Sequence, residues 1–464
     1  MTDPSKSPAE TKMKFLLPLF LSLVLLAGCA APAGTAYRDT HADIAVHTGY
    51  PVVPDASLAR TVSALLARPL TSDSAAQIAL LNNAGLRADF KDIGIAQADW
   101  VEAGLLKNPE LGLGLGFPTS PPSAARITAS FTQSFLDLLT LPSRKKIATA
   151  ELEAVRLRIA DEALTLVAET KSEFYLLQAQ QQILDRLQNA LELEHASAEL
   201  ARLQHDAGNI SDLALLQRQA AYDQLRLDGA RAQAGLQLER EKLNRLLGLA
   251  DAPTHWQIDD ALAPVPASEP PLDQLETLAL DQRFDLAAAK ADFTAAARVL
   301  GLAENYRFTN SVDLGAEFER DVDRQKTLGP TIGLELPIFN HGAARMQRAK
   351  ARLRQAADRL EALAAVVRSE VRVARDRLLA AHDAAMLYRN TLVPEQHRLL
   401  ELTLQHYNGM FASAYELVLT KQNELAAERG EIEASRDYWS ARAELERAAG
   451  GSLTLINSQP ATQP

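Results

Sequence analysis

Leu111-Gly112-Leu113-Gly114-Leu115-Gly116-Phe117 puts an apolar side chain on every second residue and only hydrogen between. Successive side chains of a strand point to opposite faces, so this run makes one greasy face and one bare face. Ile127, Ala129, Phe131, Gln133 and Phe135 alternate in the same way with Arg126, Thr128, Ser130, Thr132 and Ser134. Two later runs repeat the pattern. Val312, Leu314, Ala316 and Phe318 alternate with Ser311, Asp313, Gly315, Glu317 and Glu319, and Ile332, Leu334, Leu336 and Ile338 with Thr331, Gly333, Glu335 and Pro337. Runs of about ten residues with this alternation are the signature of membrane-spanning β-strands. The connections at 118–122 and 320–329 are polar or proline-rich, as loops at a membrane surface should be. The alternation predicts that Leu113, Phe131, Leu314 and Leu334 face lipid. It also predicts that Gly114→Ser and Thr128→Ser are almost silent.

Four strands cannot close a barrel, and open edges in lipid leave backbone groups unpaired at several kcal/mol each. Single-chain barrels begin at about eight strands. Closure therefore requires several chains, and three would supply twelve strands. Asp313, Glu317, Glu319 and Glu335 share the non-lipid parity; charges are costly against lipid, so they are expected to line water. Symmetry would turn each into a ring that favours cations.

Outside the strands the composition is helical. Aromatic residues are 5% of the 464, and long stretches are dominated by Ala, Leu, Glu, Gln and Arg. Long helices are expected from about 144 to 205, where there is neither Pro nor Gly, and from about 342 to 406, where Pro394 predicts a kink. At the α-helical rise they would measure roughly 93 and 98 Å. Shorter helices at about 75–107 and 211–249, and at 273–305 and 412–449, sum end to end to roughly 105 Å in each half. One stacked short pair thus matches one long helix, which suggests a wall of equal rods. Leu152, Val155, Ile159, Ala163, Leu166, Val167 and Thr170 recur at three- and four-residue steps as one buried stripe.

The halves look like two copies of one helix–strand–strand–helix–helix unit. Residues 79–88, ALLNNAGLRA, precede 279–288, ALDQRFDLAA, by two hundred positions and match it at four of ten. The proline-rich stretch 251–272 joins repeats 75–250 and 273–450, leaving an N-terminal segment 29–74 and a tail 451–464.

Lys12 and Lys14 precede the apolar run Phe15–Leu26, too short to span a bilayer and of signal-peptide length. Met13-Lys14 offers a second, shorter start. The run ends in Leu26-Ala27-Gly28-Cys29, which resembles the lipobox of bacterial lipoproteins. Residues 1–28 are thus expected to be a lipoprotein signal peptide and Cys29 the lipidated residue, carrying diacylglycerol and palmitate. Ala30 after it resembles the outer-membrane sorting pattern. Cys29 is the single cysteine, so no intrachain disulfide can form. The net charge of −11 argues against nucleic acid as a partner.

These features, together with Leu336-Pro337-Ile338-Phe339-Asn340-His341-Gly342 leading into the second long helix, resemble the TolC-like outer membrane efflux protein family. Phe135 to Pro142 is a looser counterpart. The resemblance covers roughly 75–450. It implies a mainly α chain that forms a homotrimer, with a twelve-stranded β-barrel continued by a long periplasmic α-helical barrel. It further implies a passive exit duct in a tripartite pump, served by a periplasmic adaptor and an inner-membrane efflux transporter. The hairpin turns at 205–211 and 407–413 would form the periplasmic entrance and the adaptor contacts, through Asp206, Gly208, Ser211, Gly409, Ser413 and Glu416. Gly208 and Gly409 are expected to supply positive φ at helix ends. Glu416 matches a position where the family carries an acid; the next such position holds Leu419.

Chemistry is otherwise thin. No phosphate loop or nucleophile elbow is present, the histidines are scattered, and His41 and His47 are expected in an irregular N-terminal segment. No enzyme activity, cofactor or metal is expected. A periplasmic coiled-coil lipoprotein would explain the helices and the anchor but not four matched strands.

Overall fold

The computed structural model describes residues 35–453, apart from 52–54, 118, 120–124, 250–255, 259–260, 270–271 and 273. Cys29 and its signal sequence lie outside the described residues. Four helices come first: α1 (Thr35–Thr48), α2 (Asp55–Leu66), α3 (Ser72–Asn82) and α4 (Ala84–Ala103). Strands β1 (Glu110–Gly116) and β2 (Arg126–Ser134) follow, then α5 (Phe135–Asp206) and α6 (Asp212–Leu246). Beyond the proline-rich stretch the order is α7 (Leu275–Gln282), α8 (Phe284–Asn305), β3 (Val312–Arg320), β4 (Lys326–Leu334) and α9 (Ala343–Leu387). A π-turn (Tyr388–Leu392), α10 (Val393–Asn408) and α11 (Ala414–Ala449) complete the chain.

The rods alternate. The long α5 packs against α4 and α6 on one side and against α8 and α11 on the other, and α9 lies beyond against α8 and α11. The buried stripe of α5 is the expected one: Ile159, Ala163, Val167 and Thr170 are buried, and Leu152, Val155 and Leu166 pack against the same core. A second core of Val367, Val371, Leu378, Tyr438 and Leu445 joins α9 to α11.

Several boundaries differ from the sequence reading, each for a physical reason. The helices expected at 75–107 and 273–305 are each broken in two, at Asn83 (φ −62°, ψ 124°) and Arg283 (φ −67°, ψ 128°). The amide of Leu86 is capped by Asn83 Oδ1 at 3.0 Å; Arg283 offers no such cap, and the amide of Leu286 instead donates to Asp285 Oδ1 in the first turn at 2.8 Å. Both breaks sit at the fifth residue of the two matched ten-residue runs. The first long helix starts at Phe135, directly after β2, and passes through Pro142. There Thr140 Oγ1 and Arg144 Nη2 donate to carbonyls of the first turn, Leu136 and Asp137. The residues before Pro394 take a π-turn, a wider coil. Gly430 accommodates the result, since a Cβ there would meet the Tyr388 ring at 2.4 Å.

Strand β4 begins earlier and ends earlier than expected, because the turn is the tight Asp321–Gln325, closed by Asp321 N–H to Gln325 O at 3.0 Å. Leu336 and Ile338 therefore lie past the strand. His41 and His47 are on the helix α1, not in an irregular segment; Phe90 lies edge-on to His41, and His47 packs against Phe284. The proline-rich stretch is packed as well. Trp256 and Ile258 are buried, and Leu70 pairs with Ile258 as a parallel bridge. Arg240 lies over the Trp256 ring at 3.9 Å. Proline prevents helix there but does not prevent burial.

Candidate conduit: the sheet faces and the hairpin tips

The strands form one antiparallel meander in the order β1-β2-β3-β4. Its register sorts the two faces without exception among the large apolar residues. Leu113 is opposite Ala129, Ala129 opposite Phe318, and Phe318 opposite Leu328; Leu111, Phe131, Ala316 and Pro330 form the next row. Leu113 is 76% exposed and Leu328 75%, an apolar surface that water does not stabilise. Phe117, Phe135, Leu138 and Leu139 are likewise exposed around the band.

The other face carries Gly112, Gly114, Ser130, Thr128, Asp313, Glu317 and Glu319, with Glu110 and Arg126 at its margins. Glu110 was missed by reading the sequence because it lies one residue before the obvious glycine-leucine alternation. Arg126 pairs with Glu319, with Asp321 3.9 Å from its Nε, so one guanidinium offsets part of the acidic face. Glu335 falls one residue beyond β4, where Asn310 Nδ2 donates to it at 2.9 Å. This face is crowded. A Cβ on Gly114 would meet Thr128 Oγ1 at 2.5 Å, and one on Gly315 would meet the Phe131 carbonyl at 2.5 Å. Gly114→Ser is therefore not the silent change that alternation alone predicts, because strand proximity on the polar face uses the missing Cβ.

Among the described residues, both outer strands, β1 and β4, lack a partner on one side. The rods repeat this condition, with α6 on one flank and α9 and α10 on the other. Leu213, Leu216, Leu227 and Leu238 are exposed on α6; Val366, Val373 and Leu387 are exposed on α9 at a seven-residue repeat with Ala380.

At the far end lie the two hairpin tips. Gly208 has φ +77° and open space around its Cα, so positive φ is its reason for being glycine. In the second tip the left-handed residue is Met410 (φ 61°), while Gly409 has φ −80°. Gly409 instead makes room: a Cβ would meet the Phe411 ring at 2.9 Å. Ser211 Oγ caps Ala214 N–H at 3.3 Å and Ser413 Oγ caps Glu416 N–H at 3.2 Å, so both serines start helices. Asp206 is held by Arg202 at 2.9 Å. Glu416 and Leu419 are both exposed, one turn apart on α11. The tips are stitched together by Tyr415 Oη to Gln204 Oε1 at 2.7 Å and by Arg218 over the Tyr415 ring at 4.8 Å. Higher up, Gln422 donates to the buried Glu194, whose carboxyl burial pushes above its usual range.

Midway along the rods His397 Nδ1 lies 2.5 Å from Glu424 and near Glu428, a trio spaced closely enough for a cation. Lys421 and Arg186 already neutralise those carboxylates, so the trio is an ion-pair network. Sequence reading missed it because its members come from α5, α10 and α11.

No protein-family model and no curated relative matches the sequence. Solved structures do. The outer membrane protein VceC of Vibrio cholerae superposes with a TM-score of 0.64 at 18% identity, over 86% of this chain and 97% of that one. The CmeC outer membrane channel of Campylobacter jejuni gives 0.67 at 16%, over 82% and 85%. The open-state MtrE outer membrane channel of Neisseria gonorrhoeae gives 0.65 at 18%, over 82% and 88%. Across nearly its whole described length, the chain has the fold of the TolC-like outer membrane channels.

Proposed function

We propose that the chain is one subunit of an outer-membrane efflux channel. The observation that carries this reading is the two-faced meander with both edges open, continued into rods whose flanks are also unpaired. Backbone groups cannot stay unpaired in lipid, so β1 of one copy must meet β4 of the next. Three copies make a twelve-stranded barrel, with the apolar face to lipid and Asp313, Glu317 and Glu319 toward water; Glu335 stands at its periplasmic rim. The rods continue it as an α-helical barrel into the periplasm, two matched units per chain. Cys29 anchors the mature N-terminus in the outer membrane. The duct is passive: an inner-membrane transporter drives cargo through a periplasmic adaptor that meets the tips near Asp206, Gly208, Ser211, Gly409, Ser413 and Glu416.

The test is conductance. Purified protein added to planar bilayers should give discrete current steps of uniform size. Protein that inserts, as judged by flotation with the lipid, yet carries no current refutes the channel.

A further inference from the structure

Just below the sheet a groove of about 260 Å³ runs over α8 between α5 and α9. Its floor is apolar, formed by Leu136, Val299, Leu302 and Ala303. Its rim is four guanidinium groups: Arg144 from α5, and Arg345, Arg348 and Arg352 from α9. Two of these are committed. Arg144 donates to the carbonyls of Leu105 and Asp137, and Arg345 donates to the Tyr306 carbonyl at 2.6 Å. Among the described residues, Arg348 and Arg352 have neither a carboxylate nor a hydrogen-bond partner. They are four residues apart on one helix face, where like charges repel. Arg359, seven residues further on, continues the stripe, again with no partner among the described residues.

The side on which the groove opens follows from helix phase. Phe135 continues the apolar parity of β2, and Leu138 and Leu139 share its direction on α5. At about 100° per residue, Leu136, Thr140 and Arg144 lie roughly 140° away from that direction. On α5 the groove therefore lies on the side that continues the polar face of the sheet; on α9 it borders the face that carries Val366, since Arg348 lies about five helical turns before it.

We propose that this groove is a binding site for organic anions with an apolar body, such as a sulfonate, carboxylate or phosphate monoester on a ring system. The unpaired guanidinium groups supply fork-shaped donors for the anionic head, and the apolar floor takes the body. An inorganic anion would use only the rim, and an organic cation would meet four like charges. Placement of the groove inside a conduit rests on the channel reading above; the binding chemistry does not. In a chain of net charge −11, this stripe reverses the sign of the acidic sheet directly above it.

Isothermal titration calorimetry of the full protein in phosphatidylcholine nanodiscs tests the site, with empty nanodiscs subtracted. The probes are 2-naphthalenesulfonate, the isosteric cation 2-naphthylmethylammonium, and inorganic sulfate. The sulfonate should bind saturably, one per chain, and at least about tenfold tighter than either other probe. Arg348→Glu with Arg352→Glu should weaken it about tenfold or more, while Arg348→Lys with Arg352→Lys, which keeps the charge but loses the fork, should fall between the parent and the Glu pair. If the Glu pair fails to fold, Arg348→Gln with Arg352→Gln serves with the same expectation. Equal affinity for the cation, or undiminished sulfonate binding in the Glu or Gln pair, overturns the site. Block of single-channel current by the sulfonate, relieved in the same variants, supports the interior placement. Saturable binding without block refutes that placement and leaves the anion site standing.

Discussion

Ser130 and Phe131 are neighbours in the middle of β2 and face opposite ways, which makes them a sharp test of the sheet's orientation. Phe131 is 50% exposed and pairs with Leu111 and Ala316 on the apolar face. Lysine at Phe131 would enter hydrocarbon near the midplane at about 2–4 kcal/mol per chain. If three copies insert together, the penalties sum to roughly 6–12 kcal/mol per assembly. Lysine at Ser130 meets a different environment. Its cross-strand partners are Gly112, which has no side chain, and Glu317, which offers an opposite charge. That pair should contribute roughly 0.2–1 kcal/mol, favourably. Refolding into phospholipid vesicles, read by heat-modifiable gel mobility and protease resistance, distinguishes the two. Phe131→Lys should abolish or strongly reduce the inserted, heat-sensitive form, and Ser130→Lys should insert like the parent. Equal insertion of both, or loss with Ser130→Lys alone, refutes the assignment of faces.

Other consequences follow from particular residues. Burial, with Asp285 close by, raises the Asp161 carboxyl to about 6, and Arg283 and Arg447 only partly offset this. The folded state then keeps a proton that the unfolded chain loses between about pH 4 and pH 6, so this residue's contribution to stability declines as pH rises through that window. Asp161→Asn should raise stability by about 1–3 kcal/mol at pH 7.5 and change it little at pH 4, measured by thermal unfolding in nanodiscs; an effect of opposite sign refutes the account. Gly315→Ala should cost roughly 1–3 kcal/mol because its Cβ meets the Phe131 carbonyl, whereas Gly329→Ala, with open space, should be free of clash, as the same refolding assay reads. Asp313→Asn with Glu317→Gln should move the reversal potential toward anions, most clearly at low salt where screening is weak; no shift argues that these carboxylates do not line the conduit. Cys29→Ser should abolish metabolic palmitate labelling, and persistent labelling removes the lipobox assignment.

Strand parity was legible because it depends only on neighbours in sequence: Leu113 and Phe131 could be assigned a face before any partner was known. The buried stripe of α5 was legible for the same reason, its period being local. What escaped depends on residues distant in sequence. Gly114 looked replaceable until Thr128 was placed opposite it, and Gly409 looked like a left-handed cap until the turn gave that role to Met410. The start of α5 was misplaced because Pro142 reads as a breaker, whereas the helix begins at Phe135 and passes through it. The groove rimmed by Arg348 and Arg352 had no local signal at all, since α5 and α8 supply its floor.

The central claim is that open strand edges close against copies of the same chain and that closure comes at three. Disulfide trapping between β1 and β4 tests it most directly. In a Cys29→Ser background, single cysteines at Leu111, Leu113 or Leu115 would be combined with one at Leu328, Pro330 or Ile332, and the membranes oxidised. Within one chain these edges are separated by β2 and β3, beyond the roughly 7 Å limit for a disulfide. The account predicts that at least one combination gives a ladder on denaturing gels that stops at three chains. A ladder that continues past three, or monomer alone in every combination, contradicts it.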